Sequence, residues 1–180
     1  MFKKLIFMMI LLLAVSQFVF GTGKKAYKNV HLGIQFHYAS NYSISTSEKK
    51  GYHEIKLQST DRGGGIVIQK FQVQLNKKIE KIYMDAVIKT LKNKGLEQLS
   101  HKHRELTLPI KKLYKSPATK AHEHILIFKS KKGINLKMTI YLFNGGSANN
   151  KGFTVSFIEA GPKKRSREFS LFKNSFTLLS

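Results

Sequence analysis

The sequence predicts an α+β domain built on a largely antiparallel β-sheet that is flanked by helices. Runs with the two-residue alternation of strands lie both before and after one long helical segment, and a second, shorter helical segment comes near the end of the chain. Strands and helices that are segregated along a chain are typical of antiparallel sheets, whereas parallel sheets need the two in alternation. The connecting helix can cover one face of the sheet and the terminal helix the other, which gives three layers.

The strands before the long helix begin with the segment Gly33–Ser45. Ile34, Phe36 and Tyr38 alternate with polar residues, so one face of this first strand is apolar. Tyr42 and Ile44 continue the pattern after a small polar turn, and we expect the two runs to form a hairpin whose aromatic side chains pack inward. Strands at about 52–57 and 66–75 follow, and the glycines of residues 61–65 form the turn between them.

The long helix is predicted over residues 76–94. Its apolar positions recur at spacings of three and four residues, and they are Ile79, Ile82, Tyr83, Ala86, Val87, Thr90 and Leu91. Gly95 follows in the position that usually ends a helix. Four strands are expected after it, at about 99–108, 122–128, 136–143 and 153–158. A second helix is predicted at about 164–173.

The N-terminus resembles a secretory signal peptide. Lys3 and Lys4 precede an uncharged segment from Leu5 to Gly23, and small residues follow its apolar core. We expect residues 1–21 to be the signal peptide, 22–29 a flexible lead-in and 30–180 a single domain. The protein is then periplasmic or secreted; the alternative is an uncleaved N-terminal membrane anchor, since the apolar run is nearly long enough to span a bilayer.

The chain is strongly basic and contains no cysteine. Its 32 Lys and Arg against 10 Asp and Glu give a net charge of +22, which attracts polyanions at long range. For an exported protein the expected partners are an envelope protein, an anionic envelope polymer or a membrane surface, and not nucleic acid. The alternative is a compositional bias toward lysine. The candidate partner-binding residues are Lys111, Lys112, Lys115, Lys163, Lys164, Arg165 and Arg167.

The order of elements resembles the Mog1/PsbP-like superfamily, including its small exported bacterial members of the DcrB type. The resemblance is carried by the entry segment Gly33-Ile34-x-Phe36 with Tyr42-x-Ile44, by the 76–94 helix, and by the closing Asn174-Ser175-Phe176. The family commonly has Pro and Trp where this chain has Ala39 and Tyr42. The resemblance implies a three-layer α/β/α sandwich, and a binding or assembly factor without a catalytic site.

Two pairs of histidines are the candidate metal ligands. His101 and His103 lie on one predicted strand, and His122 and His124 on another. Residues two apart on a strand point to the same face, so each pair offers two imidazoles in one direction. Glu123, between His122 and His124, then points to the opposite face. If the strands are neighbours, four nitrogens converge, an arrangement that zinc or copper accepts. The alternative is that these are ordinary exposed polar side chains.

Other chemistries lack the residues that they need. The ten acids are scattered, so paired carboxylates for acid–base catalysis and clustered oxygens for calcium are not expected. The glycines of residues 63–65 lead into a strand and not a helix, which disfavours a phosphate cradle. We therefore expect no enzyme and no cofactor, but a non-catalytic exported binding or assembly factor. The alternatives are a metal-binding protein or metal-dependent enzyme that uses the histidine pairs, and a nucleic-acid binder.

Overall fold

A computed structural model of the protein describes residues 23–107, 120–145 and 151–179. The predicted signal peptide lies outside these described residues. So do three of the candidate partner-binding lysines, Lys111, Lys112 and Lys115.

The described residues form strands and helices in an α+β arrangement, as predicted. The strands are β1 (Lys24–Asn29), β2 (Ile34–Ala39), β3 (Tyr42–Lys49), β4 (Tyr52–Ser59), β5 (Gly64–Phe71), β6 (Leu96–Thr107), β7 (Lys120–Ser130), β8 (Asn135–Asn144), β9 (Gly152–Ala160) and β10 (Thr177–Leu178). The helices are α1 (Lys77–Asn93) and α2 (Ser166–Ser175).

Seven strands form one large antiparallel sheet. Their order is β3-β4-β5-β9-β8-β7-β6, and every neighbouring pair is antiparallel. The chain leaves the middle of the sheet after β5, passes through α1 to the far edge at β6, and returns strand by strand until β9 pairs with β5. This long crossover is what places α1 beside β6 and β7.

The ends of α1 follow from local chemistry. The side chain of Asn76 accepts a hydrogen bond from the backbone N–H of Ile79 at 2.9 Å, which satisfies a donor that the first helical turn leaves unpaired. Gly95 follows the helix with φ +77°, a left-handed conformation that glycine adopts at no steric cost. The predicted bounds of the helix are confirmed to within a residue.

Two clusters of buried apolar side chains lie on opposite faces of the large sheet. Residues of β8 alternate between them, because Ile140 and Leu142 belong to the cluster under α1, and Tyr141 and Phe143 to the cluster under α2. The cluster under α2 is the larger one and contains many aromatic rings. Each helix therefore buries its apolar side against a different face.

A small second sheet changes the interpretation of the N-terminal segment. It has the order β1-β2-β10, so residues from Lys24 onward form an edge strand and not the predicted flexible lead-in. Tyr27 of β1 stacks on Phe36 with ring centroids 5.0 Å apart, and this burial of aromatic surface stabilises the strand. The predicted hairpin is also wrong, because β2 and β3 belong to different sheets. Phe36, Tyr38 and Tyr42 are nevertheless buried, as expected.

The turn between β4 and β5 is held by a buried arginine. Arg165, directly before α2, is fully buried and its guanidinium contacts the carboxylate of Asp61. A Cβ at Gly64 would collide with Arg165 Cδ, so glycine is required where the arginine crosses the start of β5. The prediction that Arg165 belongs to an accessible partner-binding surface is wrong. Helix α2 begins at Ser166, two residues later than predicted.

Within the three described ranges, no helix has both the length and the apolar character needed to cross a bilayer.

Candidate metal centre

The two histidine pairs meet because β6 and β7 are neighbours at the edge of the large sheet. The strands are antiparallel, and His103 lies directly opposite His124. Their imidazole rings stack with centroids 4.4 Å apart and planes at 19°. The rings of His101 and His124 lie 5.2 Å apart, and those of His103 and His122 lie 5.4 Å apart. All four imidazoles thus form one group, the histidine cluster.

A carboxylate from α1 completes the histidine cluster. Glu80 lies in the first turn of the helix, above the face of the sheet that carries the imidazoles. Its Oε1 is 2.8 Å from His124 Nε2 and 3.5 Å from His103 Nε2, and its Oε2 is 2.6 Å from His122 Nδ1. One glutamate side chain therefore touches three of the four histidines.

Burial decreases across the histidine cluster from the sheet toward solvent. The side chain of His124 is 7% exposed and that of Glu80 is 13% exposed, whereas His103 is 48% exposed. The cluster forms one wall of a groove of about 540 Å³ between α1 and the β6–β7 edge, and Met84 and Lys77 lie in the same groove. A ligand held by the buried atoms would be reached from solvent past His103.

Three donor atoms are close enough to hold one metal ion. The ligating atoms of Glu80, His103 and His124 all lie within 4.8 Å of one another. Bonds of about 2.0–2.2 Å from zinc to imidazole nitrogen and carboxylate oxygen place donor atoms about 3–4 Å apart, so small side-chain rotations suffice. Two imidazoles and one carboxylate would supply three ligands, one fewer than the four that zinc usually takes.

His101 and His122, the two histidines outside this group of three, contact different members of it. His101 Nε2 lies 2.9 Å from His124 Nδ1, within hydrogen-bond distance. If His124 binds a metal through Nε2, its Nδ1 carries the proton and donates a hydrogen bond to His101 Nε2. Such a hydrogen bond from the second ring nitrogen is typical of metal-ligating histidines. His122 Nδ1 is buried and forms no hydrogen bond of acceptable geometry with the described residues, despite its short distance from Glu80. His122 therefore presents a further ring nitrogen to the carboxylate of Glu80.

Electrostatics within the histidine cluster favours the neutral imidazole at His124 and His101 and the charged carboxylate at Glu80. Burial lowers the pKa of His124, and neighbouring His103 and His101 lower it further, although Glu80 opposes this shift. Burial also lowers the pKa of His101. Burial on its own would raise the pKa of Glu80, but contacts with His122 and His124 outweigh it and the pKa is lowered. Neutral imidazoles and an ionised carboxylate are the forms that bind metal ions.

Glu80 was not recognised from the sequence because the buried side of α1 is rotated from its predicted position. The helix buries Met84, and Tyr83, Val87, Ile88 and Leu91 pack beside it. Of the side chains predicted to face inward, Ile82 is 60% exposed. Glu80 lies one turn before Met84 on the same side of the helix, and this four-residue spacing is the signal that would have indicated it.

The remaining sequence candidates do not converge on one site. Glu123 alternates with the histidines and points to the opposite face, as predicted, where Arg104 binds it. Lys163 pairs with Asp61 at 3.0 Å, and Arg165 is buried. Lys164 and Arg167 are exposed. Among the candidate basic residues that the structure describes, Lys164 and Arg167 are therefore the two that are exposed and have no ion pair.

Comparison with known proteins finds no family model that matches the chain and no similar protein among the curated proteins.

Proposed function

We propose that the protein is an exported, non-catalytic metal-binding protein, and that Glu80, His103 and His124 bind a divalent transition-metal ion such as Zn²⁺ or Cu²⁺. The observation that carries the proposal is the convergence of three ligand atoms from three different elements within 4.8 Å. Imidazole and carboxylate are donors that both ions accept.

The hydrogen-bond inventory of the histidine cluster supports a metal over a purely structural role. A neutral imidazole offers one donor and one acceptor, and a buried ring nitrogen without a partner, as His122 Nδ1 is among the described residues, is costly. Here the rings of His103 and His124 stack at 4.4 Å, a distance at which two positive charges would repel each other strongly. A single divalent cation satisfies several nitrogen lone pairs at once and neutralises Glu80.

Binding is proposed rather than catalysis because, among the described residues that line the groove, Asp85 is the one acid besides Glu80. Asp85, the other acid that lines the groove, is held by Lys81 at 2.7 Å. Glu80 is itself a proposed ligand and is not available as a general base. Three protein ligands would distinguish the site from closed four-ligand structural zinc, and they are also found in catalytic zinc sites. Catalysis is therefore disfavoured by the lack of a free carboxylate to act as general base among the described residues of the groove.

The test is metal binding by protein purified without a histidine tag. After treatment with a chelator, the wild type should bind one equivalent of Zn²⁺ or Cu²⁺ in calorimetric titration, with the bound metal verified by elemental analysis. His124→Ala should weaken binding by at least 100-fold, because it removes the most buried ligand.

The matched control is His53→Ala. His53 is a partly exposed strand histidine that pairs with Glu48 at 3.7 Å and does not belong to the histidine cluster, so its loss should leave metal affinity unchanged. Absence of stoichiometric metal in the wild type, or equal weakening by His53→Ala and His124→Ala, would contradict the proposal.

We further propose that the domain adopts the Mog1/PsbP-like three-layer arrangement and that it is exported after cleavage near residue 21. Support for the layers comes from the two apolar clusters on opposite faces of the large sheet, each covered by its own helix. Cell fractionation tests the export. The intact precursor in the cytosol, with no shorter form outside it, would exclude this part of the proposal.

A second candidate function is attachment to an anionic component of the cell envelope. The supporting observation is the exposed basic side of α1, which includes Lys78, Lys89 and Lys92, together with the exposed Lys164 and Arg167. Such binding should weaken steeply as salt rises. Crosslinking in intact cells followed by low-salt purification should recover an envelope component. Recovery of nothing would contradict this function, and recovery of nucleic acid would favour the nucleic-acid alternative.

A further inference from the structure

We propose a second binding site, an aromatic-lined cavity under α2 that is independent of the metal centre. Its ligand is a small monocarboxylate whose apolar part is the size of a single ring. The carboxylate lies against Lys173, and the ring enters the cavity.

The cavity lies on the opposite face of the sheet from the histidine cluster. It has a volume of about 120 Å³. Its apolar walls are the rings of Phe143, Phe157, Phe172 and Phe176, and Tyr141 and Lys173 are the polar residues that border it. A mostly apolar cavity with a few polar groups at one place is the usual form of a small-molecule site.

Lys173 is a half-buried cation without a close carboxylate among the described residues. Its Nζ donates a hydrogen bond to Tyr141 Oη at 3.1 Å and lies 4.7 Å from the ring centroid of Phe157. The nearby carboxylate of Glu123 is engaged by Arg104. Burial lowers the pKa of Lys173, which means that its charged form lacks the solvation it would have in water. An anion placed here gains both a counter-charge and a charge-assisted hydrogen bond.

The size of the cavity sets the size of the apolar body. A dry cavity of about 150 Å³ lined by apolar side chains holds one benzene molecule, so a slightly smaller cavity that reaches half-exposed Lys173 accepts one ring or a short branched chain. A long acyl chain would have to extend out of the cavity into solvent. Dicarboxylates are disfavoured because Lys173 is the one cation among the described residues that line the cavity.

Benzoate is the probe, and benzyl alcohol, its neutral analogue, reports on the apolar contact alone. Binding is followed by ligand-observed NMR on the full-length protein. We expect Lys173→Met to weaken benzoate binding by about tenfold or more, with a much smaller effect on benzyl alcohol. Lys132→Met is the matched control, because Lys132 is an exposed lysine in the turn between β7 and β8, and it should change neither ligand.

Val155→Leu provides a second variant that keeps Lys173. Val155 lines the cavity, so the added methylene should reduce binding of both ligands while thermal unfolding verifies that the variant is folded. The proposal is overturned if the wild type binds neither ligand, or if Lys173→Met and Lys132→Met weaken benzoate equally. It is also overturned if Val155→Leu is folded and binds both ligands as the wild type does. Metal removal should have no effect on any of these measurements.

Discussion

Strand β7 carries two polar groups back to back, and the two faces use their charges in different ways. On one face, His122 and His124 meet Glu80 of α1. On the other, Glu123 between them meets Arg104 of β6, and Tyr141 and Lys173 lie beside it. The acid comes from the helix on the first face and from the strand on the second.

The difference lies in which ligand atoms remain available. The guanidinium of Arg104 has only donors, and it satisfies the buried Glu123 carboxylate permanently, since arginine does not deprotonate in proteins. Imidazoles retain lone pairs, so Glu80 is surrounded by groups that can themselves bind a cation. The Glu123 face is therefore suited to stability, and the histidine face to exchange of a metal ion.

The largest expected effect comes from removing the two stacked histidines, His103 and His124, together. Zinc should then no longer increase the free energy of unfolding. At a free zinc concentration of about 100 times Kd, zinc should raise the free energy of unfolding of the wild type by about 2.7 kcal/mol. The double variant His103→Ala/His124→Ala should show no such increase. Urea unfolding with zinc and with a chelator measures both. An equal increase in the two proteins would show that zinc binds elsewhere.

Glu123→Gln should affect stability and leave the metal centre intact. The side chain is 4% exposed, and the substitution replaces an ion pair with Arg104 by a weaker contact, so we expect a loss of about 1–3 kcal/mol in the free energy of unfolding. Zinc affinity should not change, because the side chain points away from the histidine cluster. Glu48→Gln, at a 72% exposed position, is the control. Reduced zinc affinity in Glu123→Gln would contradict the view that the Glu123 face stabilises the fold and the histidine face alone binds the metal.

His101→Ala should weaken zinc binding less than removal of a ligand does. His101 positions His124 through the hydrogen bond to Nδ1, and loss of such a contact typically costs 10- to 100-fold in metal affinity. His101→Gln keeps an acceptor and should recover part of the affinity. If His101→Ala is as damaging as His124→Ala and glutamine gives no recovery, His101 is a ligand and not a positioning residue.

Arg104→Lys should produce the smallest change. Lysine keeps a positive charge at this 64% exposed position, so the buried Glu123 carboxylate keeps a counter-charge. Chemical denaturation should show a smaller loss of stability than in Glu123→Gln. A loss equal to that of Glu123→Gln would mean that Glu123 depends on the guanidinium group itself and not only on its charge.

Local patterns were sufficient to predict most elements. The ends of α1, the turn after β4 and the strands that carry the histidines follow from capping residues, glycines and two-residue alternation. These signals act over a few residues, and so they can be read without the fold. The alternation also predicted that Glu123 and the histidines lie on opposite faces.

Three features could not be read in this way because they depend on distant segments. Lys24–Asn29 has little apolar character and becomes a strand because β2 lies beside it. The sequence places Arg165 in a basic cluster that we predicted to be exposed. In the structure it is buried against the β4–β5 turn, about 100 residues earlier in the chain, where it contacts Asp61 and passes close to Gly64. Glu80 lies in the first turn of α1, where helices favour acids in any case, so its position in the sequence does not indicate a ligand.

The sequence by itself determined the class of the fold, the sign of the net charge and the pairing of histidines on single strands, since composition and local periodicity are properties of short segments. The tertiary structure decided that the two pairs face each other, that Glu80 joins them, and that Arg165 is buried. The physical reason is that antiparallel pairing and the rotation of α1 are set by burying apolar area against the whole sheet, and the positions of the charged groups follow from that burial.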